Sequence, residues 1–140
     1  MPGTTNVELQ LLSEQLKIPH FRGVFMRDQI LALSPQEHEC GIINLNSADN
    51  NTSGHWEIWY KSPQEKIAYS SFGDPIPQEL IDYLKPPILT SDIQIQNFGE
   101  SICGELCILI LYLLSNGKKF ESIILELSSA RQLVALQQSH

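Results

Sequence analysis

Basic residues are scarce in this chain. Nine Lys and Arg stand against 16 Asp and Glu, a formal net charge of −7. The one basic cluster is the pair Lys118-Lys119. Proteins that grip nucleic acid through its phosphates carry the opposite balance, so nucleic acid is not an expected partner. Long apolar runs are missing too. The stretch Leu106–Leu114 is uncharged, but a bilayer needs roughly 20 such residues, so no membrane partner is expected. The opening MPGTTNVELQ has neither a basic flank nor an apolar segment, and secretion is not expected. There are only three cysteines, an odd number without a framework spacing. That favours free thiols in a reducing compartment, and a Cys-only metal site lacks ligands. His20, His38, His55 and His140 show no HxxxH spacing. Neither a metal nor another cofactor is expected. With no repeat and 140 residues, the chain reads as one domain spanning 1–140.

What is present begins with NVELQLLSEQLK over 6–17. It reads as a short amphipathic helix with Val7, Leu11 and Leu12 on one face and Leu16 beside them. Pro19 ends it, and Gly23 marks a turn or a close backbone approach. Phe25 to Leu33 fits a second short helix or an irregular connector. Cys40 to Asn46 is a short β-type run, followed by a polar loop over Ser47–Gly54. HWEIWY then alternates, with His55, Glu57 and Trp59 on one face and Trp56, Ile58 and Tyr60 on the other. A turn over 61–65 makes Lys66–Gly73 its hairpin partner, which returns Ser70 and Ser71 towards His55. Pro77–Leu84 reads as a helix with proline in its first turn, Ile88–Ile95 as a further strand, and Phe120–Leu127 as a final helix that the tail SSARQLVALQQSH either extends or leaves frayed. The expected class is α+β: a small, mainly antiparallel sheet packed against a buried central helix.

That central helix is the run Gln96 to Gly117, QNFGESICGELCILILYLLSNG. A buried strand would also suit its composition, but its length and its Ser-Asn-Gly stop favour a helix. Apolar residues on nearly every side place it in the middle of a domain. Cys103 then sits in the first turn, with Ser101 as N-cap. The unpaired N–H groups and positive dipole end there favour thiolate over thiol, and the thiolate is the nucleophile. Gly104 leaves room for a carbonyl to approach. Gln96, seven positions earlier, is a neutral donor able to share an oxyanion with the Cys103 N–H. The plainer reading is that Cys103 and Cys107, one turn apart, are two core cysteines.

Three groups together tilt that balance: a cysteine at a helix start, a histidine opening a strand and a glutamine ahead of the cysteine. The chain resembles the adenovirus-type (adenain-like) cysteine proteases, especially their versions in Polinton/Maverick elements and related viruses, within the SUMO-protease-like superfamily. The resemblance runs over about 100 residues, Phe21 to Phe120. It rests on FRGVF with RDQ (Phe21–Gln29), GIINL (Gly41–Leu45), Gly54-His55-Trp56, Tyr69-Ser70-Ser71-Phe72-Gly73 with Pro75 and Pro77, and Gln96 with Ser101-Ile102-Cys103-Gly104 and Cys107. It implies Cys103 as nucleophile, His55 as general base and acid, and Gln96 as oxyanion donor.

The resemblance further implies a thiol hydrolase that cuts capsid-type viral or transposon precursor proteins during virion maturation. Its expected location is the virion, or the nucleus or cytoplasm of a host cell. The adenovirus enzyme is helped by DNA and a basic peptide; the acidic charge here fits an activating peptide and not DNA. One departure stands out. The residue that orients the histidine, acidic or amide in the family, falls on Ser70, which carries no charge. Three readings follow: a Cys103–His55 dyad, takeover by Asp74, or a degenerate copy that only binds peptides. A ubiquitin-like-protein isopeptidase is the alternative enzyme, with Trp56 and Trp59 as candidates to line its tunnel.

Overall fold

The computed structural model describes residues 6–45, 55–95 and 103–138, except the side chains of Cys103 and of residues 131–138. Its elements run α1 (Asn6–Gln15), β1 (Phe21–Met26), a 3-10 turn (Arg27–Ala32), β2 (Glu39–Asn44), β3 (Trp56–Lys61), β4 (Lys66–Ser70), α2 (Gln78–Leu84), α3 (Cys103–Ser115) and α4 (Phe120–Gln138). The strands form one mixed sheet in the order β1-β2-β3-β4. β1 lies parallel to β2, and the other two pairings are antiparallel. This is the α+β architecture the sequence implies.

Both faces of the sheet are covered, so its inner strands are apolar on both sides. Ile42, Trp56, Ile58, Ile67 and Tyr69 point into a core shared with α1, α3 and α4. Ile43, Trp59 and Ala68 point the other way, against Ile30 of the 3-10 turn and Leu80, Tyr83 and Leu84 around α2. The alternation in HWEIWY thus sorts residues between two cores, not between core and solvent. Trp56 and Trp59 are 2% and 0% exposed, one in each core, so neither lines a surface channel. Gly41 faces Trp59 across the β2–β3 ladder, and a Cβ there would overlap the indole ring.

The second core is tied to a buried carboxylate. Glu39 is 1% exposed. It accepts bonds from Trp59 Nε1 at 3.0 Å, the Tyr83 hydroxyl at 2.7 Å and the Gln36 N–H at 2.6 Å, with Arg22 at 3.5 Å. Those donors come from β1, β3, α2 and the approach to β2, so one side chain fixes four segments. Burial and then the Glu39 bond push the Tyr83 phenol up, which keeps it a donor over the whole physiological range.

Helix α3 is buried along Leu106, Cys107, Ile108, Ile110, Leu111 and Leu114, while Leu109 and Tyr112 form its half-open stripe. It stops as the sequence predicts. Gly117 takes φ 87°, and its N–H and that of Lys118 close back on Leu114 and Leu113 at 3.0 and 3.1 Å. Among the described residues no helix is long and apolar enough to cross a membrane.

Three expectations need correction. Phe21–Met26 is a strand, which the sequence reading missed, and the 3-10 turn follows it directly. The inner face of α1 is Leu9 and Ser13, whereas Val7, Leu11 and Leu16 are 68%, 52% and 41% exposed. Ser13 tolerates burial because its hydroxyl donates to the Gln10 carbonyl at 2.7 Å. Residues 88–95 form no regular strand. They run beside β4 through Leu89, bonded to Lys66 and Ala68, and through the Ile95 N–H on the Ser71 carbonyl at 2.9 Å. Helix α4 runs from Phe120 to Gln138, so of the two readings of the tail the extended helix holds.

Candidate active site

Two elements run side by side and set the frame. Helix α3 packs on β3, and both elements are about 20 Å long. Their directions can be read from their ends. Ser115, the last residue of α3, lines a cavity of about 220 Å³ with Cys40, Tyr60 and Lys61, at the far end of β3. Cys107, one turn from the helix start, shares the first core with Tyr69. Tyr69 neighbours Ser70, which pairs with Glu57 at the near end of β3. The helix therefore runs along β3 in the strand's own direction. Its first residue, Cys103, is at the end of the sheet where His55 leads into β3.

His55 is held there by its own strand and by the turn that leaves β4. Its carbonyl accepts the Leu45 N–H at 2.8 Å, which extends the ladder one residue beyond β3. Its ring stacks against Phe72 with centroids 4.4 Å apart and planes tilted by 32°. Its Nδ1 faces Asp74 Oδ2 at 3.7 Å. Both side chains remain partly open, at 48% and 36% of their surface. The pairing holds one face of the imidazole and its Nδ1 edge.

The turn that supplies both contacts is closed by backbone geometry. The Gly73 N–H returns to the Ser70 carbonyl at 2.9 Å. Gly73 has φ 72°, a conformation that a residue with a Cβ adopts only under strain. A Cβ there would also overlap the Asp92 carbonyl. Past this glycine the chain folds back, and Asp74 comes within reach of the strand end. Both hydrogen bonds of the Ser70 hydroxyl go to Asp74: it accepts the Asp74 N–H at 3.2 Å and donates to Oδ2 at 3.4 Å. Ser70 is fully buried. The position that the resemblance assigns to the histidine-orienting residue thus bonds to Asp74.

Of the residues singled out in the sequence, His55, Ser70 and Asp74 form one connected cluster, and Cys103 is the first residue of α3. Gln96 and the proposed cap Ser101 lie outside the described residues. Phe72 enters the sequence reading only as part of the Tyr69–Gly73 motif, with no role of its own, and its ring is what packs on the His55 imidazole. Cys40 and Cys107 are buried free thiols. Burial, helped by Glu39, pushes the Cys40 thiol up to about 12, so it stays protonated and inert at neutral pH. His20 and His38 stack on each other with centroids 5.2 Å apart, away from this cluster. Among the described residues no group of three or more His, Cys, Asp or Glu could hold a metal ion.

In fold the chain is similar to a solved viral structure. The crystal structure of the ASFV pS273R protease superposes with a TM-score of 0.66 at 12% identity, covering 93% of this chain and 66% of that one. The chain therefore spans just under two thirds of that protease's length. At this identity the likeness concerns the fold. No protein-family profile and no curated protein matches the sequence.

Proposed function

We propose that this chain is a cysteine peptidase in which Cys103 attacks the peptide carbonyl, His55 moves the proton and Asp74 orients His55. The observation that carries this reading is the His55 Nδ1–Asp74 Oδ2 contact of 3.7 Å just ahead of β3. An acceptor at Nδ1 holds the proton on that nitrogen and frees Nε2 to take the thiol proton and later give it to the leaving amine. The helix start favours the thiolate and offers N–H groups to the oxyanion, with Gln96 as a further donor. The likeness to the ASFV pS273R protease fits a polypeptide substrate. Within that class a capsid-type precursor of viral or transposon origin is the reading we favour, with a basic activating peptide suited to the acidic chain. The degenerate-copy alternative rested on the missing charge at Ser70, and Asp74 provides that charge.

The test is proteolysis of a denatured viral capsid precursor and of a proteome-derived peptide library, with new N-termini read by mass spectrometry. New termini at a shared sequence motif, absent with Cys103→Ala, are expected. No Cys103-dependent termini, with or without basic peptides added, would contradict the proposal.

A further inference from the structure

We infer that Ser70 is a positioning residue whose buried hydroxyl aims the Asp74 carboxylate at His55. The inference rests on the proposed His55–Asp74 pairing and adds the part that makes it possible. Asp74 is a partly exposed residue just past a glycine, and an aspartate there ordinarily samples several rotamers in water. Here its Oδ2 is shared between two partners, Ser70 Oγ at 3.4 Å and His55 Nδ1 at 3.7 Å. The same Oγ accepts the Asp74 N–H at 3.2 Å. One hydroxyl thus fixes both backbone and side chain of Asp74.

The anchor is itself rigid. Ser70 ends β4, pairs with Glu57 in the ladder and is 0% exposed, so its rotamer is set by packing. A hydroxyl can do this work because it accepts and donates at once. A carboxylate at position 70 could not donate to Asp74, and two acids there would repel. Ser70 and Asp74 therefore act as a unit in which the strand supplies the anchor and the turn supplies the charge. Ser70 touches no reacting atom and acts on His55 only through Asp74.

The tautomer of His55 reports this directly, through long-range proton–nitrogen NMR of the full chain labelled with 15N-histidine, at a pH where the ring is neutral. In the wild type the proton is expected on Nδ1. Asp74→Ala should move it towards Nε2. Ser70→Ala should shift the population in the same direction, and Ser70→Thr, which keeps the hydroxyl, should restore it. If Ser70→Ala does not give a folded thermal melt, Ser70→Cys keeps the side-chain size with a much weaker donor and carries the same expectation. A Ser70 variant that keeps the wild-type tautomer while Asp74→Ala shifts it would overturn the inference. An unchanged tautomer in Asp74→Ala would overturn it together with the role of Asp74. The readout needs neither thiol nor substrate, so a chain that cuts no peptide still answers the question.

Discussion

Replacing His55 with alanine should slow peptide cleavage by about 100- to 10,000-fold, the usual share of a positioned general base and acid. Stability should barely move. The imidazole is about half exposed, and among the described residues its ring contact is with Phe72 and its polar contact with Asp74, so a change within about 0.5 kcal/mol is expected. The two readouts separate chemistry from folding: cleavage rate on a peptide from the mapped motif, and the unfolding midpoint in urea. A small loss of rate would mean that Cys103 draws its reactivity from the helix start alone. A large fall in midpoint would mean that His55 is a structural residue of the strand end.

The opposite pattern is expected at Glu39. Glu39→Ala removes the acceptor for Trp59 Nε1, the Tyr83 hydroxyl and the Gln36 N–H, and the first two donors are buried in the second core. Each stranded donor costs about 1–3 kcal/mol, and breaking a buried charged partnership typically costs about 3–5 kcal/mol. Set against a total stability of about 5–15 kcal/mol, that is a large share. Equilibrium unfolding in urea should show the loss, and Glu39→Gln should recover part of it by keeping an acceptor in place. An Ala variant with the wild-type midpoint would show that water replaces the carboxylate at no cost.

These two residues also show what the sequence reveals and what it hides. His55, the hairpin and the helix that begins at Cys103 are legible because their signals are local: alternation over six residues, a polar turn, an apolar run ending in Asn-Gly. Glu39 carries no such signal. Its partners Arg22, Trp59 and Tyr83 lie 17, 20 and 44 positions away, and only the folded chain assembles them. Strand β1 is hidden for a related reason. It pairs in parallel with β2, and its register slips between Phe21 and Val24 around Gly23, so no clean alternation survives. Residues 88–95 mislead the other way: their alternation suggests a strand, but one parallel bridge at Leu89 is their share of the ladder. At the site, Asp74 is legible as a candidate acid, whereas the role of Ser70 is not, because it depends on the positive φ of Gly73.

The most direct test of the central claim is the iodoacetamide labelling rate of Cys103 at pH 6, read peptide by peptide, in the folded protein and in urea. An ordinary thiol, with a pKa of about 8.5, is less than about 1% thiolate at that pH. If Cys103 is held as a thiolate beside His55, it should label at least about tenfold faster folded than unfolded. Cys40, buried and pushed up to about 12, should stay unlabelled until the chain unfolds. Cys103 labelling no faster in the folded chain than in urea would contradict the account.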